Sequence, residues 1–415
     1  MKRSRIAIIC LCLLVVMTVG CNHKVNSNKE TGVVNEQVST MMETDDTKKI
    51  NVEETSKIIE NTQETESTQQ SEIDESITLM MVGDVLLHTP VSDSGKLADG
   101  SYDYNHLFTH VKSETKAADI ALVNQEVILG GTELGLSGYP CFNGAYEVGD
   151  ALVNNGFDII LHATNHTLDK GEKGVRNCLD FWKTNYPAIK VAGINESQSD
   201  QDSQIVITEQ KGIRIAVLNY TYGTNGIEVP KDAPYLVNYI DKDKIKQDVE
   251  LAKTMSDFIV VCPHWGIEYQ HTQSEEQGNL AQYLSDIGVD LVIGTHPHVI
   301  EPMEWITGTD GKQTLVYYSL GNFVNATSGT GDGVADRMLG AMAKVTIKRQ
   351  ENGEAEIISH EAIPIVSHLK SGVQGITVYP LNEYTPELEA ENEIVKQDPN
   401  FSIEYITNVW NDVME

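Results

Sequence analysis

Two histidines on either side of a proline, His296-Pro297-His298, are the residues of this chain whose spacing most clearly suggests chemistry. They follow the apolar run Leu291–Ile293, which predicts a buried strand, and Gly294 ends that strand just before the first imidazole. Proline fixes the backbone between the two rings, so both can face one point. Because neutral imidazole is a common ligand of first-row transition metals, the segment predicts a metal site at a strand end.

Other predicted strands of the chain also end in side chains that can bind a metal. These strand ends carry the following residues: Asp84, Glu126, Asn165 with His166 and Asp169, and His264. Ligands of open α/β sheets bind beyond the carboxyl ends of the strands, so we expect these groups to converge. Their mixture of carboxylate, amide and imidazole favours Mn²⁺, Fe or Zn²⁺ over Mg²⁺ or Ca²⁺, with one or two ions bound.

The elements that must position these side chains alternate along the chain. Strands are predicted at 77–85, 119–127, 157–161, 213–220, 258–262, 290–293 and 315–320. Several are apolar throughout, which is typical of strands buried on both faces. Helices are predicted between them at 146–155, 174–185, 241–255 and 275–287. An Asn352-Gly353 turn predicts a late hairpin, and the alternation as a whole indicates an α/β fold.

The amino-terminal segment predicts export. A basic start is followed by an apolar run from Ile6 to Val19, which is shorter than the roughly 20 residues that a membrane-spanning helix needs. Thr18-Val19-Gly20-Cys21 resembles a lipoprotein cleavage site, in which Cys21 carries the lipid. Residues 1–21 are therefore interpreted as a lipoprotein-type signal peptide, and the protein is expected to be anchored to the extracytoplasmic face of the cell membrane. Thr18 departs from the usual aliphatic residue, so secretion after ordinary cleavage is the alternative.

Residues 22–76 predict a disordered acidic tether, because they contain no aromatic residue and no proline and are rich in Glu, Thr, Ser, Asn and Gln. The formal net charge of the whole chain is −31, and most of it lies after residue 76. Such acidity argues against nucleic-acid binding, which needs clustered cations. An anionic substrate must therefore be attracted locally, by metal ions or by a few basic side chains.

Six short motifs, taken in order, resemble the bacterial capsule-synthesis proteins of the CapA type, which include the PgsA-like component of poly-γ-glutamate production. The motifs are Gly83-Asp84, NxE at 124–126, NHxxD at 165–169, HWGxEY at 264–269, GxHPHV at 294–299 and YSLGNF at 318–323. The resemblance covers about residues 77–370 and leaves 371–415 as a C-terminal extension, whose weak pattern from about Leu381 suggests a peripheral position. The family is in turn similar to calcineurin-like metallophosphoesterases, which implies a four-layer α-β-β-α sandwich with a two-metal centre.

The resemblance also implies a role for each motif residue. It assigns the first metal to Asp84 and His298, the second to Asn165, His264 and His296, and both to Glu126. His166 takes the position that protonates a leaving group or holds a phosphate oxygen, and Asp169 orients His166. Phosphoesterases commonly have Asp-x-His at the first strand, whereas here Val85 and Leu86 follow Asp84, so the status of His88 stays open.

Five further residues of these motifs are possible pocket residues, with a structural role as the alternative. They are Trp265, Glu268, Tyr269, Ser319 and Asn322.

Three functions are compatible with these residues. In the first, the metal site acts as a hydrolase in the synthesis or export of an anionic capsule or cell-wall polymer, beside membrane-embedded synthase components. In the second, the domain binds and guides that polymer without hydrolysis. In the third, the protein is an extracellular phosphoesterase or nucleotidase.

Overall fold

Two β-sheets organise the part of the chain that the computed structural model describes, which comprises residues 75–203, 205–327 and 329–414. The first sheet contains β1 (Ile77–Val85), β2 (Ile120–Asn124), β3 (Ile159–Leu161), β4 (Lys190–Ala192), β11 (Asn322–Val324), β12 (Leu339–Arg349), β13 (Ala355–Leu369) and β14 (Ile376–Pro380). The second sheet contains β5 (Val206–Gln210), β6 (Ile213–Thr221), β7 (Phe258–His264), β8 (Leu291–Ile293), β9 (Ile300–Thr307) and β10 (Gln313–Leu320).

Each sheet contains four parallel strands that are neighbours in the strand order. The first sheet runs β14-β13-β12-β1-β2-β3-β4, and β11 adds to the end of β1. The second sheet runs β5-β6-β7-β8-β10-β9. Strands β1 to β4 are parallel to one another, as are β6, β7, β8 and β10. The carboxyl ends of each parallel set therefore lie along one edge of its sheet.

Nine α-helices lie between and after these strands in the described residues. They are α1 (Thr89–Ser94), α2 (Lys112–Ala117), α3 (Tyr146–Asn154), α4 (Gly171–Asn185), α5 (Gln198–Ser203), α6 (Lys242–Met255), α7 (Glu275–Asp286), α8 (Pro386–Glu391) and α9 (Ile403–Met414). In α7, Ser274 accepts a hydrogen bond from the backbone N–H of Gln277, whose side chain bonds back to Ser274. This capping box satisfies donors that a helix start leaves free.

Alternating side chains of the second sheet show how the layers stack. Ile215 and Val217 of β6 belong to the main apolar core with the first sheet, whereas Ala216 and Leu218 pack in a separate cluster with residues of α6 and α7. Cys262 of β7 reaches across to Met81 of β1, with 3.7 Å between the sulfur atoms. The two sheets therefore face each other, and helices cover their outer faces. The predicted α/β fold with a four-layer sandwich is confirmed.

The C-terminal residues differ from the sequence-based expectation. They were expected to be peripheral, but β14 pairs with β13, and Ile394, Phe401 and Ile406 are buried in the main core. The expectation was wrong because it followed the acidity of the segment and overlooked α9, in which Ile403, Ile406, Val409, Trp410 and Val413 recur at helical spacing and pack on the main core. Among the described residues no helix is both long and apolar enough to cross a membrane. Cys21 and the predicted tether lie outside the described residues, except for Glu75 and Ser76.

Candidate metal centre

The polar strand ends of both sheets meet at one place. Asp84 lies at the end of β1 and pairs with Asn124 at the end of β2 and with Asn322 at the start of β11. His264 ends β7, and Thr295 lies beside it in an isolated bridge. All five of these side chains are buried. The edge of the first sheet thus contributes carboxylate and amide groups to the site, and the second sheet contributes imidazole to the same place.

The histidine pair follows β8 in a loop with an unusual backbone. His296 and His298 have φ angles of 102° and 61°, which L-residues other than glycine seldom adopt. The His296 backbone N–H donates to Oδ2 of Asp84 over 3.2 Å, and Nδ2 of Asn322 donates to the His298 carbonyl over 3.1 Å. Such strained residues persist only where their surroundings hold them, and they cluster at functional sites.

Asp84, Glu126 and His298 form a first group that could hold a cation. Their ligand atoms lie within 4.8 Å of one another, and all three residues are buried. Nδ1 of His298 is 3.2 Å from Oδ2 of Asp84, and its Nε2 is 3.6 Å from Oε1 of Glu126. Nδ2 of Asn124 donates to Oδ1 of Asp84 over 2.7 Å, which fixes the carboxylate.

Glu126, His264 and His296 form a second group under the same distance limit. Nε2 of His264 lies 3.8 Å from Oε1 of Glu126 and 3.0 Å from Oδ1 of Asn165. The other ring nitrogen of His264, Nδ1, lies 3.0 Å from the Thr295 hydroxyl, which orients the imidazole toward Glu126. Glu126 belongs to both groups, so the two positions share one carboxylate.

The electrostatics of these residues fit a divalent cation. Both carboxylate oxygens of Glu126 are buried and have no hydrogen-bond partner among the described residues, and neither has Nδ1 of His296. Burial raises the pKa of Glu126 well above its ordinary value and outweighs the opposing charge of His298. Burying the carboxylates of Glu126 and Asp84 is costly, and one imidazolium balances only part of their charge. The donor set therefore suits a divalent ion, whose identity the residues do not specify.

The imidazoles of the site differ in the direction in which their pKa is shifted. Burial, together with neighbouring histidines, lowers the pKa of His264 and of His296 well below the ordinary value, so both are neutral and able to coordinate. Burial alone would also lower the pKa of His298, but the carboxylates of Glu126 and Asp84 outweigh it and raise that pKa to about 9. A cation bound between Asp84 and Glu126 must therefore displace a proton from His298.

Glu268 forms a third group with His296 and His298. Its side chain is exposed, unlike the other carboxylates of the site, so it lies on the solvent side of the centre. The sequence indicated Glu268 as a pocket residue, and the structure places it within ligand distance. It is therefore a further candidate ligand.

His166 stands beside the centre with a carboxylate behind it. Nδ1 of His166 lies 2.7 Å from Oδ2 of Asp169, which also accepts from the backbone N–H of Phe142 over 2.6 Å. The Phe142 ring packs against the imidazole edge to face, with 4.6 Å between centres. A carboxylate at Nδ1 fixes the tautomer and leaves Nε2 for proton transfer, as the sequence predicts for this pair.

His88 lies close to the site but outside all three candidate groups of the described residues. Its ring packs edge to face on Phe142, with 5.2 Å between centres. Burial, followed by the positive charges of His298, His166 and Arg337, lowers the pKa of His88 to about 4. His88 thus lies beside the site and is not a member of any candidate ligand group of the described residues.

The other predicted pocket residues divide between site and core. Tyr269 is 47% exposed and its ring centre is 6.1 Å from that of His298, while Oδ1 of Asn322 is 3.1 Å from Nδ1 of His298. The structure does not bring Trp265 and Ser319 into the pocket. Trp265 packs on Tyr318 in the outer apolar cluster, and Ser319 donates to a backbone carbonyl to hold a turn. Trp265 and Ser319 therefore have the structural role that the sequence analysis gave as the alternative.

Several residues at the site were missed by sequence reasoning. Tyr222 packs at a tilt against His296, with 4.6 Å between ring centres, and Asn225 lies 3.4 Å from both Asn165 and His166. The guanidinium of Arg337 lies over the Tyr269 ring. These residues come from loops or a short helical turn rather than from strand ends, so no pattern in the sequence marked them.

The strand order, the layers and the shared carboxylate define an α/β sandwich protein with a candidate two-ion centre. A model of the family described as bacterial capsule synthesis protein PGA_cap matches residues 78–327. This is more than half of the chain, and the chain belongs to that family. The resemblance seen in the motifs is confirmed.

Two relatives in Bacillus carry matching names. The chain is 32% identical over 213 residues to the PGA biosynthesis protein CapA of Bacillus subtilis, a match that covers 50% of this chain and 52% of the relative. It is 29% identical over 265 residues to the capsule biosynthesis protein CapA of Bacillus anthracis, covering 60% of each. The chain thus spans between about half and three fifths of these curated relatives.

Solved structures of other proteins resemble the fold more distantly. A 5'-nucleotidase from Staphylococcus aureus aligns with 17% identity and a TM-score of 0.43, covering 70% of this chain and 54% of that one. A calcineurin-like phosphoesterase from Bacillus subtilis aligns with 13% identity and a TM-score of 0.41, covering 80% and 99%. Because these TM-scores are low, the fold assignment rests on the strand order and layering of this chain.

Proposed function

We propose that this protein contributes to the synthesis or export of an anionic capsule polymer through a metal-dependent hydrolytic site. The observation that carries the proposal is Glu126, a fully buried carboxylate without a hydrogen-bond partner that lies among three imidazoles. Membership of the capsule-synthesis family supports the link to a capsule polymer. The PGA biosynthesis protein it resembles suggests a poly-γ-glutamate-like chain as the substrate.

The candidate ligands divide into two sets around Glu126. Asp84, Glu126 and His298 would hold one ion, and Glu126, Asn165, His264 and His296 would hold the second. Bound divalent ions supply Lewis acidity, which polarises a phosphoryl or carbonyl group and makes water a stronger nucleophile at neutral pH. They also give this acidic protein a local positive charge toward an anionic substrate.

His166 supplies the proton transfer in this proposal. Its Nδ1–H donates to Asp169, so Nε2 faces away from that carboxylate and can give a proton to the leaving oxygen or nitrogen. Asp169 itself is held by the Phe142 backbone N–H, so it positions the imidazole and touches no substrate. A general acid placed in this way contributes roughly 10²- to 10⁴-fold to a hydrolytic rate.

Paired histidine substitutions test the proposal. Purified His296→Ala is expected to lose bound metal and hydrolysis together, measured by elemental analysis and by turnover of model phosphoesters and γ-linked glutamate oligomers with Mn²⁺ or Zn²⁺. His166→Ala is expected to keep its metal and to lose roughly 10²- to 10⁴-fold in rate. His360→Ala is the control, since His360 lies on β13 opposite Val345 of β12, away from the site.

Two results would contradict the hydrolytic proposal. Wild-type protein that neither binds the metals nor acts on any of these substrates would overturn it. Capsule output that is lost in His296→Ala and kept in His166→Ala would instead favour metal-dependent binding of the polymer without acid catalysis.

We also propose that a lipid on Cys21 anchors the protein to the extracytoplasmic face of the membrane, beside membrane-embedded synthase components. The basic start, the apolar run and the small residues before Cys21 support this anchor. Wild-type protein is expected to leave membranes with detergent and to stay bound in high salt. Cys21→Ser is expected to remove lipid labelling, and equal labelling in both proteins would contradict the anchor.

A further inference from the structure

We propose that Arg337, stacked on Tyr269, is an oxyanion-binding subsite at the mouth of the metal centre and recognises a carboxylate or phosphate group of the substrate. This inference rests on the proposed function, because it names the chemical group that the same site takes. Arg337 belongs to a short helical turn, Ala335–Met338, that follows β11. Neither the predicted motifs nor the candidate ligand groups include it.

The guanidinium of Arg337 has no anionic partner in the described residues. Its central carbon lies 3.8 Å from the centre of the Tyr269 ring, and its buried Nε has no hydrogen-bond partner. No ion pair joins it to a carboxylate of the described chain. Stacking on an aromatic face leaves the planar edge of a guanidinium free to bind an anion.

Both members of the stack are attached to the histidine loop. The Asn322 amide bridges the two sides: its Nδ2 donates to the Arg337 carbonyl over 3.0 Å, and its Oδ1 is 3.1 Å from Nδ1 of His298. The Tyr269 backbone N–H donates to the Pro297 carbonyl over 2.8 Å. The cation is therefore held in a fixed position beside a candidate metal ligand, which lowers the entropy lost when a ligand binds.

The carboxylate next to Arg337 in the sequence is occupied elsewhere. Oδ1 of Asp336 accepts from the Tyr405 hydroxyl over 2.6 Å, and its Oδ2 is 3.5 Å from Nε2 of His271. Helix α9 thus fixes the turn from behind, and the Asp336 carboxylate is engaged by Tyr405 and His271. The result is a positively charged group at the site of a protein whose formal net charge is −31.

A guanidinium pairs with carboxylate or phosphate through two parallel hydrogen bonds, and such pairs carry specificity as well as energy. A carboxylate or phosphate group bound to Arg337 would lie beside His298. The substrate bond next to that group would then lie near the candidate ions. The half-exposed Tyr269 ring can also pack against the aliphatic part of an acidic chain. A guanidinium binds the carboxylates of a polymer and free phosphate in the same way. The probes must therefore distinguish these two kinds of anion.

Binding of defined anions to the metal-loaded full-length protein tests the subsite. The probes are a short γ-linked glutamate oligomer, the corresponding γ-linked glutamine oligomer without charge, and inorganic phosphate, each titrated by calorimetry with Mn²⁺ present. Arg337→Ala is expected to weaken binding of the acidic oligomer by about 10- to 100-fold, because a charge-assisted pair is lost. Arg337→Lys is expected to recover only part of this loss, since ammonium lacks the planar fork.

Arg349→Ala is the matched control. Arg349 ends β12 and pairs with Asp257, and Ile347 of the same strand lies opposite Ile77 at the start of β1, so it is at the far end of the sheet from Asp84. This variant removes the same charge and is expected to bind all three probes as wild type does. A loss in Arg337→Ala that is confined to the acidic oligomer identifies a carboxylate subsite, and a loss confined to phosphate identifies a phosphate subsite.

The proposal is overturned if wild type binds neither anion, if Arg337→Ala binds both as wild type does, or if it loses the neutral oligomer equally. Elemental analysis of Arg337→Ala distinguishes failure of the proposed subsite from failure of the proposed metal-dependent function. If metal is bound but no variant hydrolyses a substrate, the hydrolytic proposal falls and an Arg337-dependent affinity still stands. If hydrolysis is present and the affinity for anions does not depend on Arg337, only the proposed subsite is contradicted.

Discussion

At the scale of single residues, Glu126 is the centre of the site. It is buried, shared by two candidate ligand groups and left without a hydrogen-bond partner. Burial raises its pKa well above the ordinary value, so in the absence of a cation its charge is a cost rather than a contribution to stability. We therefore expect Glu126 to serve the protein through the cation that it binds and not through a contribution to folding.

Glu126→Gln tests this interpretation of the carboxylate. In metal-free protein we expect the free energy of unfolding to change by less than about 1 kcal/mol, because the amide is isosteric and carries no charge. Added Mn²⁺ or Zn²⁺ is expected to raise the melting temperature of wild type by mass action and to leave the variant unchanged. Thermal melts with and without metal measure both effects. An equal metal-dependent rise in the two proteins would show that Glu126 is not a ligand.

Glu301 gives a pH dependence that is separate from the ligand set. Burial raises its pKa to about 7, against an ordinary value of 4.5, although Nε2 of Gln277 donates to its Oε2 over 2.6 Å. The folded protein therefore binds more protons than the unfolded chain between about pH 4.5 and 7, and stability falls as pH rises through that window. The loss for one such group is on the order of 3 kcal/mol.

Glu301→Gln is expected to remove this part of the pH dependence. The variant should match wild type near pH 4.5 and exceed it at pH 8, because a neutral amide has no charge to desolvate. Urea unfolding at several pH values measures the difference. Parallel stability profiles of the two proteins across the window would contradict the prediction.

At the scale of elements, the site depends on the close approach of β1 to the turn after β10. The Asp84 backbone N–H donates to the Gly321 carbonyl over 3.1 Å, and a Cβ on Gly83 would lie 1.9 Å from that same oxygen. Glycine at position 83 therefore lets β1 approach the turn after β10 closely and brings Asp84 toward the histidine loop. This is a packing requirement, and the sequence alone shows only a glycine before an aspartate.

Gly83→Ala tests this contact. We expect it to lower the free energy of unfolding by about 1–3 kcal/mol and to weaken metal binding, because the added methyl group must push the Gly321 backbone away. Gly278→Ala in α7 is the matched control. A Cβ there meets nothing within 4 Å, and alanine favours the helix, so stability should rise by about 0.5–1 kcal/mol. Equal effects of the two substitutions would contradict the packing argument.

At the scale of the whole molecule, the C-terminal residues belong to the fold of the domain. Ile406 of α9 is fully buried in the main core, and Tyr405 on the same helix holds Asp336 beside the site. The last helix therefore connects the stability of the domain to the turn that carries Arg337. A boundary near residue 370, which the motifs suggested, lies before these contacts.

Ile406→Ala is expected to lower the free energy of unfolding by about 2–4 kcal/mol, because it removes buried methyl groups and leaves a cavity. Val373→Ala is the control, since Val373 is 57% exposed and should change stability by less than about 0.5 kcal/mol. Chemical denaturation compares the two. A small effect of both would mean that the C-terminal residues are peripheral, as the sequence suggested.

Much of this arrangement was predictable, for a physical reason. Strands buried on both faces leave long apolar runs, and the polar side chain that ends each run, such as Asp84 or His264, must then lie at a sheet edge. Strands β4 (Lys190-Val191-Ala192) and β11 (Asn322-Phe323-Val324) were missed because each begins with a polar residue and lacks the continuous apolar run that marked the equally short β3 and β8. Arg337, Tyr222 and Asn225 were missed because they come from turns and loops.

The amino-acid sequence by itself determined which chemical groups are available and at which strand ends they stand, since periodicity and residue type are local properties. Only the tertiary structure decided which of those groups meet. Asp84 and the His296 backbone are joined by a hydrogen bond across 212 positions of the chain, and that contact exists because two separate sheets pack face to face. The same packing put Glu268 and Arg337 at the site and Trp265 in the core, because the burial of a loop residue depends on the layer against which its loop closes.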